Sequence, residues 1–415
     1  VNARRAFAAS ILALTLSGAV RSQEPTPEAP PAPAAPAAPT PGAPAPAALA
    51  DAKEAFRKGS CPEALEAALK VLQEAPKNLE GLYIAGACER QLGQLDAAKT
   101  HLDTLLEASP NFPLVYFQLG YVSFLKADAA AREGHAADAK ALYGTAADAF
   151  GREIERNPTH AASLSSRAIA LGRSGRTDES VTAHEAWITA APQKNDPVVS
   201  LAATLAGAGR STDAMAALDR LPDKSTKAVF DAVMAAASVF QARRDWGAAV
   251  PFLEKAAQVD PTSTRARTEL VVATARAGLR DDAVRHLKAL LAMEPTPDEA
   301  EAAGEAIKAT IGDGRSAPAV PGLEPPAVLR VPTPRYPRGQ DATVQTEVLV
   351  LAQVRKDNTV GDAVLVPNRI WKDMRSTGFE QEAIDAVKRG KFLAGTKDGA
   401  SAELWIVVPV KFARP

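Results

Sequence analysis

Between residues 48 and 312, small, apolar and turn-forming residues recur at a fixed interval. Pro76 and Pro110 are 34 positions apart, as are Pro158 and Pro192, and Pro261 and Pro295. Twelve residues before these prolines lie Ala64, Ala98, Ala146, Ser180, Ala249 and Ala283, and seventeen before four of them lie Gly59, Gly93, Gly175 and Gly278. Gly209 and Ala214 keep the same offset where a proline is missing. A repeat of this length predicts a solenoid of antiparallel helix pairs. Glycine takes the turn, the small residue lets two helices approach, and proline, unable to continue a helix, ends the second one. The pattern accommodates about seven pairs and then a capping helix around Pro297–Thr310.

One interval departs from the rest. Pro110 and Pro158 are 48 apart, and Gly134 lies seven residues later than the turn position counted from Pro110 and seven earlier than that counted back from Pro158. Both helices of the third pair are therefore expected to be longer, each by about 10 Å. The resulting hairpin either serves a partner or a longer groove, or is a tolerated alanine-rich insertion.

From Val344 the periodicity changes to two. Val344, Thr346, Val348, Val350, Ala352 and Val354 alternate with more polar residues, and a second strand runs over Thr359–Val366 after Lys356-Asp357-Asn358. Phe379, Ala383, Ala386 and Val387 have helical spacing, and Ala402, Leu404, Ile406, Val408, Val410 and Phe412 mark a last strand. The order β-β-α-β predicts a three-stranded antiparallel sheet carrying a helix. The fold class expected for the chain is an all-α solenoid followed by a small α+β domain.

Composition locates the joints. Of 32 prolines, ten fall within residues 25–47 and seven between Pro318 and Pro337. Proline-rich segments favour extended polyproline II over a packed core. Residues 23–47 and 313–333 are accordingly expected as linkers. Arg4 and Arg5 followed by the apolar run Ala6–Val20 have the form of a secretory signal over residues 1–22, cleaved after Ser22. Cleavage would leave no stable membrane span and place the chain in a bacterial periplasm; retention would make the same run an anchor.

The repeats resemble the tetratricopeptide family, with Leu82…Gly86 and Leu119-Gly120 at the first-helix positions and Phe150 at the large second-helix position. Residues 334–415 resemble the C-terminal domain of TonB-family energy transducers. The points of contact are Tyr336-Pro337, the strand ending VGDAVLV, the helix FEQEAIDAVKRGKF, Thr396-Lys397-Asp398-Gly399 and Val407-Val408-Pro409-Val410-Lys411-Phe412. These resemblances imply a non-catalytic interaction scaffold. Its groove would hold a peptide or protein segment, and its terminal domain would meet an envelope partner such as an outer-membrane transporter or the cell wall. With a retained anchor, the alternative is a divergent energy transducer.

Candidate chemistry is sparse. A net charge of −1 offers no footprint for nucleic acid. It divides into about +4 from Arg330 onward and −5 before it, a split that fits either an acidic partner of the terminal domain or plain solvation. His101, His135, His160, His184 and His286 are scattered, with no HExxH, G-x-S-x-G or phosphate loop. No catalytic residue, metal site or cofactor is expected. Glu299 and Glu301 read as a solvated helix face, and Trp187 and Trp246 as core. Cys61 and Cys88 fall on neighbouring helices and are either a disulfide across the first two repeats or two small core residues. Trp371 and Trp405 are candidates for partner contacts.

Overall fold

In the computed structural model, residues 46–312, 320–338 and 346–412 are described. The expected signal, nearly all of the first linker and residues 313–319 of the second lie outside them. The described residues divide into two compact units, one ending at Lys224 and the other beginning at Ser225.

The first unit contains five antiparallel helix pairs: α1 (Pro46–Arg57) with α2 (Cys61–Glu74), α3 (Leu79–Gln91) with α4 (Leu95–Ala108), α5 (Val115–Glu133) with α6 (Ala136–Arg156), α7 (Ala161–Ser174) with α8 (Thr177–Ala190), and α9 (Asp196–Gly207) with α10 (Ser211–Leu218). The glycines of the repeat sit at the inter-helix turns with positive φ, as at Gly93 (79°) and Gly175 (87°). The small residues are all fully buried: Ala64, Ala98, Ala146, Ser180 and Ala214 have 0% exposure. At these crossings the packing is close enough that a Cβ on Gly120 would lie 2.8 Å from the Phe150 ring. The third pair has arms of 19 and 21 residues against 13 and 14 in the second, so both of its helices are lengthened, by six and seven residues, as the spacing predicts. The tenth helix is short, eight residues, and Leu221 beyond its end fills the core at 1% exposure.

The second unit begins with two further pairs, α11 (Thr226–Ala242) with α12 (Trp246–Val259) and α13 (Thr264–Arg276) with α14 (Arg280–Ala292), and the single helix α15 (Pro297–Ile311). Arg244 takes the left-handed turn conformation (φ 60°) that glycine adopts in the other pairs. Trp246 lies half-buried beneath the Arg276 guanidinium, 4.5 Å from its ring centre, so it is a rim residue and not the core residue expected.

The terminal region follows with β1 (Leu323–Glu324), β2 (Ala327–Arg330), β3 (Thr346–Val354), β4 (Val360–Leu365), α16 (Trp371–Ser376), α17 (Phe379–Lys388), β5 (Lys391–Leu393), β6 (Gly395–Lys397), β7 (Ala400–Ala402) and β8 (Leu404–Phe412). Its main sheet is antiparallel in the order β4-β3-β8, the three strands and helix expected. Two small antiparallel sheets, β1-β6-β7 and β2-β5, accompany it. Part of the segment read as a linker thus pairs with the terminal region, Leu323 opposite Lys397 and Ala327 opposite Leu393. Prolines favour extended chain, and extended chain pairs wherever the N–H groups remain.

The main sheet is covered on both faces. Val348, Val350, Ala352 and Val354 are fully buried, as is Leu351 on the opposite face. One apolar core joins these strands to Val284, Leu287, Leu291, Ile307 and Ile311 of the last helices. Polar links reinforce the seat: Arg369 donates to Glu301 (2.6 Å) and Asp298 (2.7 Å), Lys288 pairs with Asp362, and the Val407 N–H donates to the Gly312 carbonyl at 2.8 Å. Glu299 and Glu301 are therefore structural: Glu299 closes a capping box with Thr296, and Glu301 holds Arg369.

Candidate functional site

In the first unit, the first helices of successive pairs (α1, α3, α5, α7 and α9) pack against one another, while each second helix packs chiefly on its own partner and the next first helix. The first helices thus form the inner side of the array, the side on which stacked helix pairs present a concave binding surface.

Aromatic side chains of the core lie buried beneath this side. Tyr83 meets Phe56 edge-on (6.0 Å between ring centres) and Phe112 at a tilt (5.3 Å), and Phe117, Tyr121 and Phe124 follow on α5. Two guanidinium groups are held on these rings. Arg90 lies 4.8 Å from the Tyr121 ring centre and donates through Nε to Gln118 Oε1 at 2.9 Å. Gln118 in turn donates to the Tyr83 hydroxyl at 3.2 Å. Arg173 lies 5.0 Å from Phe124 and 5.4 Å from Tyr143, and its Nη1 donates to Asp128 at 2.5 Å and to the Tyr143 hydroxyl at 3.2 Å. Burial pushes the Tyr143 phenol up to about 12, so it stays neutral and donates to Asp128. Asp128 and Tyr143 lie at the base of the long hairpin, which Arg173 ties to the next repeat.

The remaining N–H groups of Arg90 and Arg173 have no hydrogen-bond acceptor among the described residues. Both side chains are half-buried. Ring stacking fixes two forked donors whose free N–H groups fit a carboxylate or main-chain carbonyls. Sequence reasoning passed over Arg90, Asp128, Tyr143 and Arg173, because partners 28 to 45 positions apart leave no local motif. The one signal was indirect, the fourteen-residue excess that places Asp128 and Tyr143 opposite each other.

The residues singled out from sequence lie elsewhere. Trp371 is 1% exposed and Trp405 is 7% exposed, so both belong to the interior of the second unit and not to a face open to a partner. Trp405 donates from Nε1 to Asp281 of α14 at 2.9 Å, and Trp371 is flanked by the Lys372 and Arg375 cations. A strand face free in the sequence pattern is here covered by helices. Cys61 and Cys88 are free and buried, and the Cys61 thiol donates to Gln91 Oε1 at 2.5 Å. Burial, and then the neighbouring Cys61 side chain, raise the Cys88 thiol well above its ordinary range.

Of the histidines, His184 is fully buried and held by the Ser180 carbonyl (2.8 Å) and the Ser200 hydroxyl (2.9 Å); burial pushes it down to about 4. His101 contacts the buried Glu89 at 2.7 Å. Among the described residues no group of three or more His, Cys, Asp or Glu side chains is placed to hold a metal ion. None of their helices is long and apolar enough to cross a membrane.

Residues 49–113 match the tetratricopeptide repeat family. No curated protein matches the chain. Among solved structures, a MamA protein is 21% identical, with 42% of this chain and 87% of that chain covered at a TM-score of 0.36. MamA from Desulfovibrio magneticus RS-1 is 17% identical over 42% of this chain and 90% of that chain, also at 0.36. YrrB, described as a TPR protein with an unusual peptide-binding site, is 17% identical over 47% of this chain and 90% of that chain, at 0.37.

Proposed function

We propose that this protein is a non-catalytic scaffold of the bacterial cell envelope whose first unit holds an extended protein segment along its inner helix face. The observation that carries this reading is the pair of ring-stacked guanidinium groups, Arg90 and Arg173, with N–H donors left over on the inner side of a helical array. Tetratricopeptide-type arrays bind protein segments on this side. Export is supported by the N-terminal signal pattern, and an envelope partner for the terminal domain by its TonB-like sequence pattern.

Cross-linked pull-down of the full chain from envelope extracts tests this. A partner enriched by the wild type and lost with the Arg90→Ala/Arg173→Ala variant is expected; no enriched partner, or one that the variant retains equally, overturns it. The alternative, energy transduction to outer-membrane transporters, needs the N-terminal run kept as an anchor. N-terminal sequencing separates the two: a mature chain beginning at Gln23 excludes the transducer.

A further inference from the structure

The ribbon formed by β2 and β5 has features that neither the fold nor the groove explains. It stands as a sheet of only two strands, and no third strand pairs with β2 among the described residues. All four β2 residues are exposed, Leu329 at 58%, and Leu393 on β5 is 48% exposed. Phe392 turns inward at 2% exposure, so Lys391 and Leu393 share the outer face with their cross-strand partners Arg330 and Ala327. Arg330 therefore stands directly opposite Lys391, an arrangement that costs stability through like-charge repulsion. Lys388 and Arg389, at the end of α17, stand just before β5. None of these four cations has a carboxylate partner among the described residues.

We propose that the β2–β5 ribbon takes an extended acidic segment of a partner protein as an added strand. A strand edge offers main-chain hydrogen bonds to an incoming chain, and side-chain chemistry decides which chain is accepted. Alternation at period two would turn the carboxylates of such a strand to the outer face, toward Arg330 and Lys391, and its apolar side chains to the opposite face, the side of Val328 and Phe392. The same charges exclude a second copy of this chain, whose own Arg330 and Lys391 would face them. The irregular register between Val328 and Arg330 further discourages indiscriminate pairing. This surface lies in the second unit.

Fluorescence anisotropy with the full chain and a labelled decapeptide alternating valine and glutamate tests the assignment. Saturable binding is expected. It should weaken by about tenfold or more in the Arg330→Glu/Lys391→Glu variant, which should instead bind the peptide alternating valine and lysine. N-methylation of every second peptide nitrogen should weaken binding as strongly, because it removes the donors an added strand uses. Thermal melts establish that the variant is folded, and Arg330→Gln/Lys391→Gln replaces it if it is not. Equal binding of polyglutamate, unchanged binding of the N-methylated peptide, or no saturable binding at millimolar protein would each overturn the proposal.

Discussion

Arg173 and Asp128, 45 positions apart, form a 2.5 Å ion pair that fastens the base of the long third hairpin to the fourth helix pair. The guanidinium also lies against Phe124 and Tyr143, so the contact combines charge, hydrogen bonding and ring stacking. An extension of about two turns per helix on otherwise regular pairs has few neighbours to pack against. Here one arginine from the next repeat supplies them.

Replacing Arg173 with alanine is expected to leave Asp128 and the Tyr143 hydroxyl without their cation and to cost about 1–3 kcal/mol. Hydrogen exchange should quicken across residues 128–143 and stay unchanged in the first helix pair. Uniform exchange in wild type and variant would show that the hairpin is held by other contacts.

Gly304 on α15 lies so close to the Pro367 carbonyl that any Cβ would displace it. Gly304→Ala should therefore lift the Pro367–Arg369 loop from α15, weaken the Arg369 pairs with Asp298 and Glu301, and destabilise the second unit by about 1–3 kcal/mol. For the same reason residues 334–415 expressed alone should bind ANS and unfold without a cooperative transition, since Leu351, Trp405 and Val407 share a core with the last helices. A sharp melt of that fragment would contradict this.

His184 carries a pH dependence whose sign follows from its burial. Its folded-state value, pushed down to about 4 from an ordinary 6.5, means that the unfolded chain binds the extra proton between those values. Its contribution is complete above about pH 6.5 and is lost progressively as pH falls toward 4. The full effect is about 3 kcal/mol. Urea unfolding of wild type and His184→Asn at pH 7.5 and 5 should show the smaller loss in the variant; parallel losses would remove His184 as the cause.

Arg244 holds a left-handed turn that costs an L-residue roughly 1–2 kcal/mol. Arg244→Gly relieves it at some cost in unfolded-state entropy, and a net gain of about 0.5–1 kcal/mol is expected as a raised Tm. A lowered Tm would mean that the side chain contributes more than its backbone costs.

Cys61 on α2 and Cys88 on the adjacent α3 are both free and buried. If the chain is exported as proposed, non-reducing peptide mapping of material from the envelope should recover the two cysteines linked. The raised Cys88 thiol makes air oxidation slow, because the thiolate is the reacting species, so an oxidoreductase-free preparation should remain reduced. Rapid spontaneous linkage in that preparation would contradict the buried, protonated thiol.

The helical array was legible because its information is periodic. Each turn glycine, buried alanine and terminal proline meets its partner within one repeat, so spacing alone placed the helix pairs and even the lengthened third hairpin. The main sheet was legible for the same reason, alternation reporting which residues face the α17 side. The two-residue and three-residue strands were not, since so short a run carries no period. The chain also hid what covers the second face of the main sheet. Leu351, Trp405 and Val407 could equally have faced a partner until α14 and α15 were seen against them, which is why two tryptophans expected at a surface lie inside. The inner-face arginines belong to the same class: charge and aromaticity were visible at Arg90, Tyr121, Phe124 and Arg173, but their conjunction depends on helices brought together from different repeats. Local sequence determined which segments turn, cross and end, because those choices are settled by backbone conformation and side-chain size. Only the tertiary structure decided which polar groups would meet, because their energies depend on distance in space.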